Sequence, residues 1–232
     1  MGRTIDTVIF DLDGTLIDSQ PAALGATVEA LSQYGVQVTA AEVREQFGGG
    51  ARKLLRYFLD RSLGLDEAGR AIDDVTRLRN VIQLSFTDRV ILLPQARQLL
   101  DSLKDSGYRL ALATMSARNV VDKISSYHGI KEHFDAVMTA DDVIYVKPDP
   151  EILTKTMDLL GGQVDCTLYA GDSGHDLEAA VSLKMPFLLV DTGIYVRGET
   201  RERLRVTAGE NGYPIVGLEG LLDIYEIVRS HA

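Results

Sequence analysis

The chain has 232 residues, a length that suggests one large domain or one domain with a smaller insert. Apolar residues make up 45% of it and charged residues 25%, a composition that argues against wholesale disorder. With 24 Lys and Arg against 34 Asp and Glu, the net charge of −10 disfavours broad electrostatic binding to nucleic acid or anionic lipid.

The cysteine content and the apolar runs exclude further classes of protein. The single cysteine, Cys166, cannot form an internal disulfide and excludes a multi-cysteine zinc site. No apolar run approaches the roughly 20 residues that span a bilayer. The N-terminus leads directly into a strand-like run without the long apolar stretch of a signal peptide, so we expect a cytoplasmic protein.

The first predicted element is a strand over residues 7–10, a short apolar run typical of a strand covered on both faces. Residues 20–88 then show only helical periodicity. This segment is far longer than a normal crossover between two strands. We interpret 20–88 as an inserted helical domain, with 1–19 and 89–232 forming the core. The alternative is extra helices packed directly on the sheet, but the apolar run at 90–94 is typical of re-entry into a second compact unit.

The rest of the chain alternates between strand and helix patterns. Helical periodicity predicts helices over 95–106 and 150–160, the second ending at Gly161-Gly162. Further short apolar runs predict strands over residues 110–113, 136–138, 167–170 and 187–190. This alternation predicts an α/β fold, a parallel sheet with helices on both sides.

Polar side chains follow several of these strands at the point where each strand ends. They are Asp11 and Asp13, then Thr114 and Ser116 around Met115, then residues 171–176. Lys147 lies in the loop after the strand at 136–138, just before Pro148, and Gly14 allows a sharp turn. Because ligands bind beyond the carboxyl ends of parallel strands, we expect these groups to converge.

Phosphoryl transfer through an aspartyl-phosphate fits this set of residues. Phosphate monoesters hydrolyse so slowly that a nucleophile, a proton donor and charge neutralisation should occur together. Asp11 can attack phosphorus, while Asp13 can protonate the leaving oxygen and later deprotonate water. Lys147 adds positive charge beside the phosphate. The Thr114 hydroxyl and nearby amides, that of Met115 among them, would hold the phosphate oxygens.

The same carboxylates predict a magnesium site. Asp11, Asp172 and the Asp13 carbonyl, completed by water and substrate phosphate, would make an all-oxygen octahedral shell. Asp176, with Ser173 near it, is expected to orient Asp172 or a metal-bound water from outside that shell.

Together these motifs resemble those of the haloacid dehalogenase superfamily of phosphohydrolases. The resemblance rests on residues 11–15, Thr114, Lys147-Pro148 and 171–176, in this order, and covers essentially the whole chain. It implies a Rossmann-like three-layer core with strand order 5-4-1-2-3 and a mobile cap. The insert at 20–88 matches the helical cap of phosphoglycolate phosphatase-like and β-phosphoglucomutase-like members.

Details of the motifs favour phosphate as the group acted on. Dehalogenating members lack the second aspartate of the first motif, and phosphonate-cleaving relatives replace it with alanine, whereas Asp13 is present here. Two positions depart from the family pattern. Met115 stands where many phosphoglycolate phosphatase-like members have asparagine, and Val146 stands where glycine is common. Neither departure removes a catalytic group.

A glycine-rich segment in the insert predicts the substrate-recognition region. Gly48, Gly49 and Gly50 precede Arg52 and Lys53, and the segment resembles the substrate-specificity loop of the family's cap. We expect Arg52, and then Lys53, to contact a carboxylate, a second phosphate or a sugar on the substrate. The alternative is that both cations only solvate a helix face.

Other polar residues receive structural interpretations. Ser116 is expected to cap a helix over residues 118–127. Asp141 and Asp142 are expected to lie in a solvent-exposed loop. The alternative is that these two carboxylates approach the metal site. Asp149 and Glu151 are expected to interact favourably with a helix dipole.

The leading hypothesis is therefore a magnesium-dependent phosphatase acting on a small soluble phosphomonoester, as a monomer or homodimer. One alternative is a phosphomutase on the same scaffold, and another is a non-catalytic protein that senses a phosphorylated ligand. Phosphoglycolate, hexose phosphates, nucleotides and pyrophosphate all stay open as substrates.

Overall fold

A computed structural model describes residues 4–46 and 51–231 of the chain. The chain divides into two compact units. The core unit comprises Met1–Asp18 and Leu92–Ala232, and the helical unit comprises Ser19–Ile91. Within the described ranges, no helix is long and apolar enough to cross a membrane.

The described residues form eight strands. They are β1 (Thr7–Phe10), β2 (Ile17–Asp18), β3 (Ile91–Leu92), β4 (Arg109–Ala113), β5 (Ala136–Met138), β6 (Thr167–Gly171), β7 (Phe187–Asp191) and β8 (Ile215–Gly217). Six of them form one sheet in the order β5-β4-β1-β6-β7-β8, in which every pairing is parallel, and β2 pairs with β3 separately. If the five predicted strands are counted along the chain, this order reads 5-4-1-2-3 from the β7 side, and β8 is an additional edge strand.

Ten helices connect and flank these strands in the described part of the chain. They are α1 (Gln20–Gln33), α2 (Ala40–Glu45), α3 (Ala51–Leu63), α4 (Leu65–Ser85), α5 (Ala96–Asp105), α6 (Arg118–Tyr127), α7 (Glu151–Leu160), α8 (Gly174–Leu183), α9 (Gly198–Glu210) and α10 (Asp223–Ser230). Local sequence sets several of their ends. Thr39 and Glu42 form a reciprocal capping box at the start of α2, and Gly161, with φ of 61°, ends α7 in the left-handed conformation.

The core unit buries its central strands on both faces. Ile9, on one face of β1, belongs to a cluster in which α7, α8 and α9 pack against the sheet. Its neighbours Val8 and Phe10 point to the opposite face and are also fully buried. Helices therefore cover both faces, and the prediction of a three-layer α/β/α fold is confirmed. This arrangement leaves the carboxyl ends of the strands as the place for a site.

The helical unit has an apolar core of its own. Leu31 of α1, Leu55 and Leu59 of α3, and Val75 of α4 are fully buried in one cluster. Leu55 and Leu59 are four residues apart and therefore lie on one face of α3, the apolar stripe that packs against the other helices.

Candidate active site

Asp11 is held at the centre of the sheet by backbone pairing. It follows the last residue of β1, the strand that lies between β4 and β6. Its N–H donates to the Ala170 carbonyl on β6 at 2.9 Å, and only 6% of the residue is exposed. The chain then turns tightly, because the Leu12 carbonyl accepts hydrogen bonds from the N–H groups of Leu16 and Ile17. Strand pairing and this turn place the Asp11 carboxyl group at the carboxyl edge of the sheet.

Gly14 allows this turn to approach a second carboxylate closely. Its φ of 86° is a left-handed conformation that favours glycine, and a Cβ atom there would lie 2.1 Å from Asp172 Oδ2. The Thr192 hydroxyl, which follows β7, donates to the Gly14 carbonyl at 2.9 Å. The loops after β1, β6 and β7 are thus in direct contact at Gly14.

The ammonium group of Lys147 joins the ends of several strands. Lys147 is buried, although it lies in a loop. Its Nζ contacts Asp11 Oδ1 at 2.7 Å, Asp176 Oδ1 at 2.7 Å, the Tyr169 hydroxyl at 2.9 Å and the Ala113 carbonyl at 3.1 Å. This one side chain therefore connects the loop after β5 to the residues at or beyond the ends of β1, β4 and β6.

Asp172 and Asp176 lie where β6 passes into α8. Ser173 is the N-cap of α8: its N–H and hydroxyl donate to Asp176 Oδ2 at 3.0 and 2.5 Å, and its Oγ accepts from the Asp176 N–H. A Cβ atom at Gly171 would lie 2.6 Å from Asp176 Cβ, so glycine is needed for this approach. With Oδ2 bound to Ser173, Asp176 directs Oδ1 to Lys147 and Tyr169.

Burial and charge shift the pKa values of this cluster in different directions. Burial raises the pKa of Asp11 to about 7, against the lowering effect of the Lys147 ammonium. Burial, together with the charges of Asp176 and Asp11, raises the pKa of Asp172 well above its usual value. Burial also opposes ionisation of Asp176, but Lys147 holds the pKa of that carboxyl below its ordinary range. Three carboxyl groups thus face one ammonium, an arrangement that attracts a further cation.

The donor atoms of this cluster fit a hard divalent cation. One carboxylate oxygen from each of Asp11, Asp172 and Asp176 lies within 4.8 Å of the others. Asp176 already accepts hydrogen bonds on both oxygens, whereas no group in the described ranges donates one to Asp172. Carboxylate oxygens are typical ligands of hard divalent cations, so Asp11 and Asp172 are the candidate ligands for such an ion.

The Asp13 carboxylate contacts a different loop. Its Oδ2 accepts a hydrogen bond from the Ser116 hydroxyl at 2.7 Å. Ser116 is tied to Thr114, whose buried Oγ1 accepts from the Ser116 N–H at 3.2 Å. The side chain of Met115, between them, is 43% exposed. The segment after β4 therefore presents the Thr114 hydroxyl inward and binds Asp13 through Ser116.

The expectation that Ser116 caps α6 is wrong. The N-cap of α6 is Ala117, which makes no side-chain capping bond, and the Arg118 N–H donates instead to Asp141 Oδ2 at 2.8 Å. Asp142 accepts from the N–H and hydroxyl of Thr139 at 2.8 and 2.6 Å. The two exposed aspartates thus hold the loop after β5 and the start of α6, and their contacts are with these surface segments.

Arg52 and Lys53 lie on α3 in the helical unit, and both are exposed. Arg52 forms an exposed ion pair with Asp73 of α4. Together with Arg56 and Ile72, these two cations line a cavity of about 390 Å³. Gly49 lies outside the described residues.

Tyr169 is a polar member of the site that the sequence analysis missed. It lies within β6, where the apolar run at 167–170 predicts a strand and gives no polar role to this residue. Its hydroxyl is buried between Lys147 Nζ and Asp176 Oδ1. A signal existed in the sequence, because a tyrosine in a strand buried on both faces needs a partner for its hydroxyl.

The sequence and the fold are similar to those of known proteins. The family model for haloacid dehalogenase-like hydrolases matches residues 8–190. The chain is 32% identical over 189 residues to phosphoglycolate phosphatase of Caulobacter vibrioides, covering 81% of this chain and 79% of that protein. It is 30% identical over 173 residues to pyrophosphatase PpaX of Bacillus mycoides, covering 75% and 77%. Its fold is similar to the crystal structure of a putative beta-phosphoglucomutase from Thermotoga maritima, with a TM-score of 0.78 and 23% identity over 97% of this chain and 100% of that one.

Proposed function

Since this chain belongs to the haloacid dehalogenase-like hydrolases, we propose that it is a magnesium-dependent phosphatase that hydrolyses a small phosphomonoester through a phosphoryl group carried on Asp11. The observation that carries this proposal is the buried Lys147 ammonium, which lies 2.7 Å from both Asp11 and Asp176. A carboxylate that attacks an anionic phosphate needs positive charge beside it, and Lys147 supplies that charge at the Asp11 oxygen.

The first half of the reaction transfers the phosphoryl group to the enzyme. An Asp11 oxygen uses its electron pair to form a bond to phosphorus, and the bond from phosphorus to the leaving oxygen breaks. Asp13 gives its proton to that leaving oxygen, so the product departs as a neutral alcohol. The Thr114 hydroxyl and the Met115 amide bind the other phosphate oxygens.

The second half returns the enzyme to its starting state. Asp13, now ionised, takes a proton from water as the water oxygen bonds to phosphorus. The bond between phosphorus and Asp11 breaks, which releases inorganic phosphate and restores the carboxylate. Lys147 holds Asp11 in place throughout, and Asp176 holds Lys147.

Asp11 and Asp172, with the Asp13 carbonyl, would hold Mg²⁺, which supplies charge neutralisation for the phosphate when bound. Asp176 and Ser173 serve this site by fixing the start of α8, which follows Asp172 directly. The capping box between Ser173 and Asp176 supports this assignment.

The helical unit is proposed as the cap that selects the substrate. Arg52 and Lys53 place positive charge around a cavity of that unit, which suits a substrate with a second anionic group. Relatives named phosphoglycolate phosphatase and pyrophosphatase support the same class, since both named substrates carry more than one anionic group. Phosphoglycolate, with its carboxylate, and pyrophosphate are therefore the first compounds to assay, followed by sugar phosphates.

A phosphate-release assay over alkyl phosphomonoesters, sugar phosphates, nucleotides and pyrophosphate tests the proposal. Release is expected to require Mg²⁺, to stop with EDTA and to be lost in Asp11→Asn. The matched control is Asp122→Asn, which removes a surface carboxylate 3.2 Å from Lys131 and should leave the rate unchanged.

Three outcomes would contradict the proposal. Release of phosphate without any divalent metal would remove the assigned role of Asp172. Interconversion of sugar-phosphate isomers without net phosphate release would identify a phosphomutase instead. Magnesium-dependent binding with no turnover across the panel would identify a sensor of phosphorylated ligands.

A further inference from the structure

Ser116 and Asp13 meet because their strands are neighbours. β1 and β4 pair in parallel with Phe10 opposite Leu112. Asp13 lies three residues beyond Phe10, and Ser116 lies four residues beyond Leu112, so both emerge at the same edge of the sheet. There the Ser116 hydroxyl donates to Asp13 Oδ2 at 2.7 Å, a good distance for an O–H donor to a carboxylate.

The backbone holds the Ser116 hydroxyl in place from two sides. The Ser116 N–H donates to Thr114 Oγ1 at 3.2 Å, and the Ser116 carbonyl accepts from the Ala140 N–H at 3.3 Å. The first contact ties Ser116 to the end of β4, and the second ties it to the loop after β5. The usual structural role of such a serine, capping the following helix, is filled here by Asp141.

We infer that Ser116 is a positioning residue for proton transfer by Asp13, acting through the hydrogen bond to Oδ2. The inference rests on the proposed function, in which Asp13 protonates the leaving oxygen. With Oδ2 bound to the Ser116 hydroxyl, the Asp13 carboxyl group keeps one orientation while it gives its proton to the leaving group and later takes one from water. The Ser116 proton stays on its own oxygen in both steps, so the balance of the reaction is unchanged.

A pair of substrates that differ in their need for an acid provides the test. An alkyl phosphomonoester has a poor leaving group that must be protonated, whereas the aryl leaving group of p-nitrophenyl phosphate departs without a proton. The alkyl compound is the one with the highest rate in the phosphate-release assay. The readout is kcat/KM, which reports the first phosphoryl transfer.

Ser116→Ala is expected to lower kcat/KM for the alkyl compound by about 10- to 100-fold and to lower it for p-nitrophenyl phosphate by about threefold or less, because a positioned general acid contributes about 10²- to 10⁴-fold. Ser116→Thr keeps a hydroxyl and should restore most of the alkyl rate. In the Asp13→Asn background, Ser116→Ala should have no further effect on the alkyl compound, since its influence passes through Asp13.

Two results would overturn the inference while leaving the proposed phosphatase intact. One is an equal loss of kcat/KM on both substrates, which indicates a general structural or binding role for Ser116. The other is a full additional loss from Ser116→Ala in the Asp13→Asn background. A wild-type protein that releases no phosphate from any compound would overturn the proposed function itself, and this inference with it.

Discussion

Lys147 and Asp11, 136 positions apart in the sequence, form a buried ion pair with Nζ 2.7 Å from Oδ1. The side chain of Lys147 is 2% exposed and that of Asp11 is 9% exposed. Because the same ammonium also contacts Asp176, it separates two buried carboxylates that would otherwise repel each other. The pair therefore links the stability of the core unit to the proposed chemistry.

Removal of this ammonium should damage both stability and activity. Lys147→Met keeps an unbranched side chain as far as Cε but leaves Asp11 and Asp176 without their cation. Removing one partner of a buried ion pair costs about 3–5 kcal/mol. The free energy of unfolding, measured by urea denaturation of the metal-free protein in EDTA, should therefore fall by that amount. Phosphate release should be lost as well.

Lys131→Met, which removes an exposed pair with Asp122, should change stability by about 0.5 kcal/mol or less. A similar small change for Lys147→Met would contradict the role given to the ion pair.

Two glycines with nearly the same backbone conformation allow a matched comparison. Gly14 has a φ of 86° and Gly107 a φ of 84°, so alanine at either position costs about 1–2 kcal/mol of backbone strain. At Gly14 the new Cβ would clash with Asp172 Oδ2 and with Tyr195 Cδ2, whereas nothing lies within 4 Å at Gly107. Gly14→Ala should therefore reduce kcat by about 100-fold or more through displacement of Asp172, and Gly107→Ala should keep full activity. Equal activities in a phosphate-release assay would show that the close approach is unimportant.

The parallel sheet was predictable because its strands are buried on both faces. The apolar runs at 7–10 and 187–190 correspond to β1 and β7 to within one residue. The edge strand β8 was missed for a physical reason. It has only three residues, and Ile215 is 38% exposed, so its sequence carries neither a continuous apolar run nor an alternation long enough to detect.

Of the polar side chains that follow the strands, some could be placed in the site from the sequence and others could not. Because parallel strands end at one edge of the sheet, the sequence predicts that Asp11 and Asp172 lie close together. This prediction does not depend on the conformation of the segments that connect the strands. Ser116 shows where that reasoning stops. A local rule, capping by a serine near a helix start, competes with a contact to Asp13 that is 103 positions away. Only the pairing of β1 with β4 decides between the two.

Loss of the Asp172 charge should stabilise the metal-free protein. Burial and the charges of Asp176 and Asp11 raise the pKa of Asp172, so its ionised form is unfavourable in the folded chain without a cation. Asp172→Asn should therefore raise Tm in EDTA, while abolishing phosphate release. Wild type in Mg²⁺ at about 100 times Kd should gain about 2.7 kcal/mol, and Asp172→Asn should gain much less. The control Asp122→Asn should retain the full magnesium-dependent shift. A Tm in EDTA below that of wild type would contradict the charge argument.

The loop that leads to Lys147 should lose a stabilising contact in acid. Glu151, at the start of α7, accepts hydrogen bonds from the N–H groups of Ile144 and Tyr145, the second at 2.8 Å. Lys155 and the Tyr145 N–H lower the pKa of Glu151 to about 2 from an ordinary value of 4.5. Because the folded value is the lower one, the unfolded chain binds the proton first as the pH falls. The stability that Glu151 contributes is thus complete above pH 4.5 and disappears as the pH falls towards 2.

Glu151→Gln isolates this contribution. Glutamine keeps one acceptor oxygen but has no charge to interact with Lys155. The Tm of wild type should exceed that of Glu151→Gln by a constant amount above about pH 5.5. The difference should shrink below that pH and disappear as the pH is lowered to about 2, because protonation removes the same charge. Glu178→Gln, on the exposed surface of α8, is the control for a carboxylate without these backbone contacts. If the difference between wild type and Glu151→Gln grew on acidification, the sign of the linkage would be wrong and the Glu151 contacts would not hold this loop.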